Sequence, residues 1–435
     1  MLAAVLGVAL LAPHAIAAPA ASPLGGLAQA RSELAGSVSS AAARGLLSAA
    51  QSELASATAP SLWLDPSHVI APPYGASVFA HSRAALAGLE RLPSSAVPSN
   101  RIASAEASIL AADRSLAAGS IRQAAGGPGG LLFRAGGMIL SGDRWAETSR
   151  VDLGAVQYGA AWRDAFQALT ELVVVRATLV SPAALGRAAE NALGGAATAP
   201  VGVRALAGRA PLSLSAKPEV LFVGAESCRF CAMERWGLVA ALSQFGIFSN
   251  LHLSQSATTA PPIVRSFTFH GSSYQSPYLS FDPVELSSLV PRSGGGYQPL
   301  ERLAPAQRAL VRALDAAAVS PFVDVANQSA DVGATVSPAG LGGASWSALA
   351  GSISRAKTLS GQAIAAIAEV LTAEICRATG GAPASVCASK VVQEYGSRLA
   401  RFGGRGGGCA LPATRRRVAP PVGPNSYLLP QRVPR

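Results

Sequence analysis

The sequence predicts an α+β protein, in which an alanine-rich all-α domain precedes an α/β domain with a mixed sheet and helical additions. Through residues 21–212, apolar residues recur at three-, four- and seven-residue steps, the period of helices packed on one face. A brief apolar run at residues 220–223 ends at Gly224 and leads into another helical period, which indicates a buried strand entering a helix. Residues 263–269 then alternate in the manner of a strand.

Composition allows sizeable cores and argues against a polyanionic partner. Half of the 435 residues are apolar and 14% are charged. The net charge is +11, but residues 401–435 hold seven arginines and no acidic residue. Since most of the basicity is confined to this tail, which lacks interleaved aromatic residues, no nucleic-acid partner is predicted.

The first twenty residues form an apolar run that ends in small residues, with cleavage sites of the A-x-A type at residues 15–17 and 18–20. They predict a signal peptide. The basic residues that usually begin one are missing, since the first lysine or arginine is Arg31, so a weak N-terminal membrane anchor is the alternative. The run is short for a bilayer span, and the next candidate, residues 172–180, is interrupted by Arg176. We therefore expect an extracytoplasmic protein, either secreted or membrane-associated at the cell surface, with no firm membrane span.

Residues 21–212 are predicted to form a helical domain whose role the sequence does not indicate. The clearest helix has apolar residues spaced four, four, three and four, namely Tyr158, Trp162, Phe166, Leu169 and Val173. We interpret this face as buried in a core. The glycine-rich run at residues 126–130 lacks the spacing of a phosphate-binding loop, so it is predicted to be a connection. No cofactor-binding motif is present, and no cofactor is predicted.

A strand-to-helix turn carries the sequence Cys228-Arg229-Phe230-Cys231. Free N–H groups and the positive end of the helix dipole favour an anion there, and Arg229 adds a positive charge, so Cys228 is expected to be the accessible, readily ionised thiol. Cys231 lies one helical turn further on, within reach of a disulfide. The pattern favours redox chemistry, in which Cys228 attacks and Cys231 resolves a mixed disulfide.

Three other interpretations of the CxxC stay open. Half of a zinc site would need two more ligands, but the remaining cysteines, Cys376, Cys387 and Cys409, form no second CxxC, and no metal site is predicted. A purely structural disulfide is common in exported proteins. Two cysteines can also pair by chance as small residues of a core.

At these residues the chain resembles the thioredoxin-like superfamily and, within it, an uncharacterised family named domain of unknown function 929. The resemblance rests on Gly224-Ala225-Glu226 before the CxxC and Glu234-Arg235-Trp236 after it, and extends over residues 218–390. It implies protein thiols or disulfides as substrates and an unidentified redox partner. It also implies that Pro321 is a cis-proline facing the CxxC, whereas the residues alone indicate only a proline at the start of a strand.

The chain departs from the thioredoxin-like superfamily at one position. Its members commonly have an acidic residue six positions before the first cysteine of the CxxC. That position is Phe222 in this chain. Glu226 is nearer in sequence and is the candidate to take over as proton acceptor, so we assign Glu226 and Arg229 modulating roles.

The remaining elements lead to the C-terminus. We predict a strand at residues 278–281, a helix at 305–317, a strand after Pro321, and two helices within 361–399 that are broken at 379–383. Cys376 and Cys387 flank that break and are predicted to form a structural disulfide, which leaves Cys409 free. The α/β domain is thus assigned to residues 213–400, and the Gly/Arg/Pro-rich tail at 401–435 is predicted to be disordered.

The function predicted from the sequence is that of an exported thioredoxin-like thiol–disulfide oxidoreductase that uses Cys228, Cys231 and Pro321. The alternative is a non-catalytic thioredoxin-fold binding or scaffold protein whose CxxC is a structural disulfide. Exposure of Cys228 should discriminate between the two, because a reactive sulfur must be reachable whereas a structural one can be buried.

Overall fold

The computed structural model describes residues 22–410 except 37, 39, 94, 149, 196–199, 260, 316, 318 and 405. The predicted leader at residues 1–20 and the part of the tail from residue 411 lie outside the described residues. The boundaries that we drew at residues 212 and 400 stay predictions.

The first half of the described chain is helical, with one short hairpin. The helices are α1 Pro23–Glu33, α2 Ala41–Ala57, α3 Ala76–Leu89, α4 Ser99–Gln123, α5 Gly129–Ala146, α6 Val151–Thr178 and α7 Pro182–Leu193. Strands β1, Trp63–Asp65, and β2, His68–Val69, pair between α2 and α3.

Local sequence explains where several of these helices begin. Ser40 and Ser181 are N-cap residues whose hydroxyls accept from the backbone N–H three residues on, which satisfies one free donor of the first turn. In α7 the cap is followed by Pro182, which suits the first helical position. The apolar face predicted on α6 is buried along its length, so its interpretation as a core face is confirmed.

The second half contains the remaining strands and helices in alternation. In chain order they are β3 Val203–Ala205, β4 Ser213–Leu214, β5 Lys217–Gly224, α8 Arg229–Leu242, β6 Ile247–Ser249, β7 His252–Gln255, β8 Arg265–Thr268, β9 Ser273–Gln275, β10 Ser280–Glu285, β11 Ser287–Pro291, β12 Tyr297–Pro299, α9 Pro305–Leu314, β13 Val319–Ser320, β14 Phe322–Val325, β15 Ser329–Val332, α10 Trp346–Ser352, α11 Leu359–Ala378, α12 Ala384–Cys387, α13 Lys390–Arg398 and β16 Cys409–Ala410. Short 3₁₀ turns lie at Pro60–Leu62, Pro338–Leu341 and Leu399–Arg401.

A mixed sheet of six strands organises this half, with the order β10-β5-β14-β15-β3 and with β4 paired to the start of β5. Strand β10 runs parallel to β5, whereas β14 runs antiparallel to it and forms a hairpin with β15. The α+β class predicted from the sequence is confirmed, and β5 has a neighbour on each side as a central strand should.

Side chains alternate across β5 and bury both faces of the sheet. Leu221 and Val223 face a small core that includes Val311 of α9. Val220 and Phe222 face the larger core, to which α8 and α11 contribute. The CxxC helix α8 therefore packs between the sheet and α11, and its position is fixed by buried contacts.

Two predicted element boundaries and one predicted number of helices differ from the structure. The second of the two helices expected within residues 361–399 is divided into α12 and α13. The strand expected at residues 278–281 is instead β10, which continues through Pro283. Pro283 is tolerated because β10 is an edge strand of the sheet, where a missing N–H costs no ladder bond on the open side. The helix expected to reach residue 317 ends at Leu314.

Helix α11 is long and apolar enough to cross a membrane, although no such segment beyond the N-terminus was predicted. Of its most apolar 18-residue window, 83% is buried by other elements, as is typical of a core helix. Among the described residues α6 and α7 pass the same test only together, as a pair bent by 76°.

Candidate functional site

The two cysteines of the CxxC occupy the first turn of α8. Cys228 is the N-cap residue with extended backbone angles, and Cys231 is the third residue of the helix. An N-cap side chain and the residue three positions on lie side by side, as the capping-box geometry illustrates. Gly224 ends the strand just before this turn, and a Cβ there would overlap the ring of Phe222. The strand-to-helix turn thus brings both sulfurs to one end of the sheet.

Cys228 forms a disulfide with Cys409, with Cα atoms 6.0 Å apart, and not with Cys231. The expectation that Cys409 is free was therefore wrong. Cys228 is also only 2% exposed, contrary to the prediction of an accessible thiol at the helix mouth. The physical reason is the same in both cases, because the segment that carries Cys409 folds back over the N-terminus of α8.

Pro321 lies beside this disulfide. The Ser320–Pro321 peptide bond is cis, as the resemblance implied, and the carbonyl oxygen of Ser320 is 3.7 Å from Cys228 Sγ. Pro321 separates β13 from β14, the strand that pairs with β5. Antiparallel pairing places Phe322 opposite Val223, so the proline necessarily lies at the end of the sheet where α8 begins.

The segment that covers Cys228 is bound through its backbone. Strand β16 pairs antiparallel with β13, with Cys409 opposite Ser320, and the Ser320 hydroxyl donates to the Cys409 carbonyl at 3.3 Å. Further back, the N–H of Ala334 donates to the Gly407 carbonyl at 2.7 Å. The tail was predicted to be disordered from residue 401, but the part described up to residue 410 is ordered against the site.

Three consecutive glycines make this close approach possible. A Cβ at Gly407 would overlap the ring of Phe230, and one at Gly406 would overlap the backbone of residues 333 and 334. A Cβ at Gly408 would meet the Ser320 carbonyl oxygen at 2.8 Å, closer than real contacts allow. The sequence therefore fits this segment to the site, although the same glycines had indicated disorder.

Cys231 is a free thiol and is fully buried. Burial raises its pKa to about 11, because an apolar environment disfavours the thiolate. The positive charge of Arg235 opposes that shift, and so does the Ser320 hydroxyl, whose single proton can turn from the Cys409 carbonyl towards a Cys231 thiolate. Ser320 thus borders both sulfurs of the CxxC, through its carbonyl at Cys228 and its hydroxyl at Cys231.

A buried ion pair lies beneath Cys231 and was not predicted from the sequence. Arg235 Nε and Nη2 donate to the two carboxylate oxygens of Glu285 at 2.8 and 2.6 Å, and both side chains are buried. Charged residues such as Arg235 and Glu234 are mostly exposed in folded proteins. Both are instead fully buried, because Glu285 pairs with the first and Thr335 donates two hydrogen bonds to the second.

The two residues with predicted modulating roles lie on either side of the CxxC turn. Arg229 is the first residue of α8, its guanidinium lies 5.1 Å from the Phe230 ring centroid, and it donates to the Pro261 carbonyl. Glu226 is 5% exposed, and burial raises the pKa of its carboxyl. The acid whose charge acts on Cys231 is Glu285.

The remaining two cysteines are joined away from this site. Cys376 near the end of α11 is bonded to Cys387 in α12, with Cα atoms 5.5 Å apart, which is the pairing expected from the sequence. Among the described residues, no group of three or more His, Cys, Asp or Glu side chains could hold a metal ion.

Sequence reasoning found Cys228, Cys231 and Pro321 but missed Cys409, Ser320 and the Arg235–Glu285 pair. Cys409 carried a usable signal, since a cysteine after three glycines can approach another chain segment closely. Ser320 and Glu285 carried none, because their roles depend on strand pairing across 92 and 50 residues.

Comparison with known proteins adds one family. No curated protein and no solved structure matches the chain. Residues 207–290 match the model of a domain of unknown function, DUF929. The matched segment contains β5, the CxxC, α8 and β10, whereas Pro321 and Cys409 lie beyond it, and it supports the resemblance to this uncharacterised family over that part of the chain.

Proposed function

We propose that this chain is an exported, thioredoxin-like thiol–disulfide oxidoreductase that acts on protein thiols or disulfides. One observation carries the proposal. Cys228 is bonded to a cysteine from a distant segment while Cys231 remains a thiol one helical turn away. This is the arrangement of a mixed disulfide that awaits resolution, with an internal cysteine in the place of a substrate.

The topology around the cysteines supports the thioredoxin-like assignment. Strand β5 enters α8 through the CxxC, α8 leads on to the parallel strand β10, and the antiparallel hairpin of β14 and β15 completes the sheet before α11. Pro321 precedes β14 on the strand next to the CxxC, where the resemblance expects it. These features support the proposed fold. The proposed activity depends instead on the Cys228–Cys409 disulfide and the free thiol of Cys231.

The proposed exchange conserves electrons at each step. The Cys228 thiolate attacks one sulfur of a substrate disulfide, so that a mixed disulfide forms and a substrate thiolate leaves. Cys231 then loses its proton and attacks Cys228 Sγ, which closes the CxxC disulfide and releases the second substrate thiolate. Two electrons pass from the CxxC to the substrate, and the reverse sequence oxidises a substrate dithiol.

The surrounding groups have separable roles in this scheme. Arg229 at the first position of α8 favours the thiolate at Cys228, together with the helix dipole. Arg235 favours the thiolate at Cys231 when that residue attacks. Pro321 is a positioning residue, since the chain leading into it holds the Ser320 carbonyl against Cys228.

The location is proposed on the same grounds as the chemistry. Two disulfides within the described chain are compatible with an extracytoplasmic protein, because such bonds persist in oxidising compartments. The apolar run at residues 1–20 would direct export, as a signal peptide or as a weak membrane anchor.

A redox titration tests the oxidoreductase. The full chain carrying Cys409→Ser would be equilibrated over a range of reduced to oxidised glutathione, quenched in acid, alkylated and mapped by mass spectrometry. We expect a Cys228–Cys231 disulfide that titrates as a two-electron couple, with about 30 mV for each tenfold change in the equilibrium constant. The same variant should catalyse oxidation of a dithiol peptide by oxidised glutathione, and Cys231→Ser added to it should not. Absence of the Cys228–Cys231 bond at every ratio contradicts the proposal.

The burial of Cys228 favours a second candidate, a non-catalytic module in which Cys228 and Cys409 form a permanent staple. A bond that closes 181 residues would stabilise the fold by about 5 kcal/mol in the chain-entropy description. In that case wild-type protein keeps Cys228–Cys409 at every glutathione ratio at which the protein stays folded, and Cys231 never enters a disulfide. The same titration of the wild-type protein therefore separates the two candidates, because only the oxidoreductase exchanges Cys228–Cys409 for Cys228–Cys231 as the glutathione ratio changes.

A further inference from the structure

The segment that carries Cys409 is held at the site by backbone hydrogen bonds as well as by its disulfide. Residues 406–410 lie across the end of the sheet, bonded to Val332 and Ala334 at one end and paired with β13 at the other. All of these bonds use the backbone of the segment, so they would hold any extended peptide of the same shape. The only side chain that the segment contributes to the chemistry is the thiol of Cys409.

We propose that this edge, formed by Val319, Ser320, Phe230 and Ala334, is a binding site for extended peptides with a cysteine preceded by glycines, and that residues 406–410 are its tethered internal occupant. The proposal rests on the oxidoreductase described above and names its substrate class and its control. Substrates of this class bind only after the internal segment has left.

Shape complementarity sets the specificity. The ring of Phe230 and the backbone at residues 333–334 leave no room for a Cβ at the positions of Gly407 and Gly406. The position of Ala410 is exposed and therefore open to other side chains. Glycine is therefore favoured at two positions of the peptide. Three residues before the cysteine a larger residue would overlap backbone atoms, and two residues before it a larger residue must displace an aromatic ring that packs on the core.

Release of the segment needs no external oxidant or reductant. Cys231 gives up its proton and its thiolate attacks Cys228 Sγ, the Cys228–Cys409 bond breaks as the Cys228–Cys231 bond forms, and the Cys409 thiolate takes up a proton. One disulfide and one thiol exist before and after the step. The tail is then held by backbone contacts alone, and a substrate peptide can replace it and reach Cys228.

The first test uses two synthetic peptides that differ at one residue. The full chain with Cys231→Ser and Cys409→Ser, which has Cys228 as the only thiol at the site, would be mixed with Gly-Gly-Gly-Cys-Ala or Gly-Val-Gly-Cys-Ala. Each peptide would carry a thionitrobenzoate disulfide on its cysteine, and release of the thionitrobenzoate anion gives the rate. We expect the glycine peptide to react at least about tenfold faster, a factor that corresponds to 1.4 kcal/mol.

Free dithionitrobenzoate serves as the reference reagent and separates the two proposals. Equal rates for both peptides, with a normal rate for the reference reagent, overturn the peptide site but leave the oxidoreductase standing. Failure of Cys228 to react with all three reagents overturns both. Because both peptides are compared on one protein preparation, partial misfolding cannot produce a difference between them.

The second test moves the internal disulfide. Gly407→Val in the otherwise wild-type chain should push the tail off the edge and shift the disulfide from Cys228–Cys409 to Cys228–Cys231, with the number of thiols unchanged. Gly403→Ala is the matched control, since nothing lies within 4 Å of a Cβ there. Non-reducing peptide mapping gives the ratio of the two bonds, and an unchanged ratio in Gly407→Val overturns the inference.

Discussion

Among single residues, burial determines how readily the Cys231 thiol of the CxxC can ionise and react. Cys231 has no exposed surface, and the groups that favour its thiolate, Arg235 and the Ser320 hydroxyl, offset only part of the cost of burial. A thiol in this position is inert towards solvent at neutral pH, and it lies one helical turn from Cys228. That combination suits a resolving thiol, which must wait until a disulfide forms beside it.

We predict that Cys231 ionises with a pKa of about 11 and that Ser320→Ala raises this pKa further, because the thiolate then loses a hydrogen bond. Thiolate absorbance would be followed against pH in the full chain with Cys228→Ser and Cys409→Ser, where Cys231 cannot exchange. The same chain with Cys231→Ser supplies the background to subtract. Ionisation near the ordinary thiol value of about 8.5 contradicts the buried environment described here.

Glu234 should make the stability of the fold depend on pH. Burial raises its pKa from 4.5 to about 7, so the folded protein binds a proton that the unfolded chain has already lost over this interval. The stabilisation is fully present below pH 4.5 and is lost as the pH rises to 7, and it amounts to about 3 kcal/mol at about 1.4 kcal/mol per pKa unit.

We therefore expect Glu234→Gln to flatten the fall in the free energy of unfolding between pH 4.5 and 7, as measured by urea denaturation at each pH. Gln keeps the size of the side chain and an oxygen that can accept from Thr335. Glu190→Gln, on an exposed position of α7, is the control and should leave the profile unchanged. Parallel profiles for wild type and Glu234→Gln would exclude this role for Glu234.

At the scale of elements, the site depends on how closely α8 approaches α11. Gly237 permits that approach, because a Cβ there would overlap the side chain of Ile367 on α11. Both helices are buried on the side that faces the other, so neither can move away without opening the core.

We predict that Gly237→Ala destabilises the protein by about 1–3 kcal/mol through overpacking, although alanine favours the helical backbone. Gly45→Ala in α2 is the matched substitution, since nothing lies within 4 Å of its Cβ, and it should stabilise the protein by about 0.5–1 kcal/mol. Urea denaturation of the two variants gives both values. Changes of the same sign would show that helix propensity, and not the contact with Ile367, decides the outcome at Gly237.

Local patterns were sufficient for most elements near the site. The apolar run before Gly224 marked β5, the helical period after it marked α8, and the break near residues 379–383 separated α11 from α12. Each of these depends on neighbours in sequence, which is why it could be predicted. The strand β10 was placed only in part, because the tolerance of Pro283 depends on the edge position that the sheet gives it.

The environment of the CxxC could not be predicted in the same way. A tail rich in glycine and arginine reads as disordered when only composition is considered, yet its glycines fit a surface formed by α8 and residues 319–334. Likewise Glu234 and Arg235 would be expected at the surface because they are charged. The fold instead buries them, with Thr335 bonded to Glu234 and Glu285 bonded to Arg235. Both the order of the tail and the burial of these two side chains depend on contacts with residues distant in sequence, which local patterns do not indicate.

At the scale of the whole molecule, the helical region and the sheet share one core. The ring of Phe166 on α6 meets Trp346 on α10 edge-on at 5.6 Å, and the Tyr395 hydroxyl donates to the Ala189 carbonyl on α7 at 2.9 Å. Near the first hairpin, the N–H of Ala71 donates to the side chain of Gln255 at 3.0 Å. One continuous cluster of buried apolar residues extends from α1 to α13.

We predict that residues 21–212 and 213–400 unfold together despite their different composition, because separating them would expose the apolar faces of α6, α7 and α11 to water. Incorporated 5-fluorotryptophan gives separate ¹⁹F signals for Trp63 and Trp162 in the helical region and for Trp236 and Trp346 beside the sheet, assigned by Trp→Phe substitution. In a urea titration all four should lose their native signals at one midpoint, as a two-state transition requires. Two midpoints, one for each pair of tryptophans, would show that the halves are independent domains and that the contact between Phe166 and Trp346 contributes little to either.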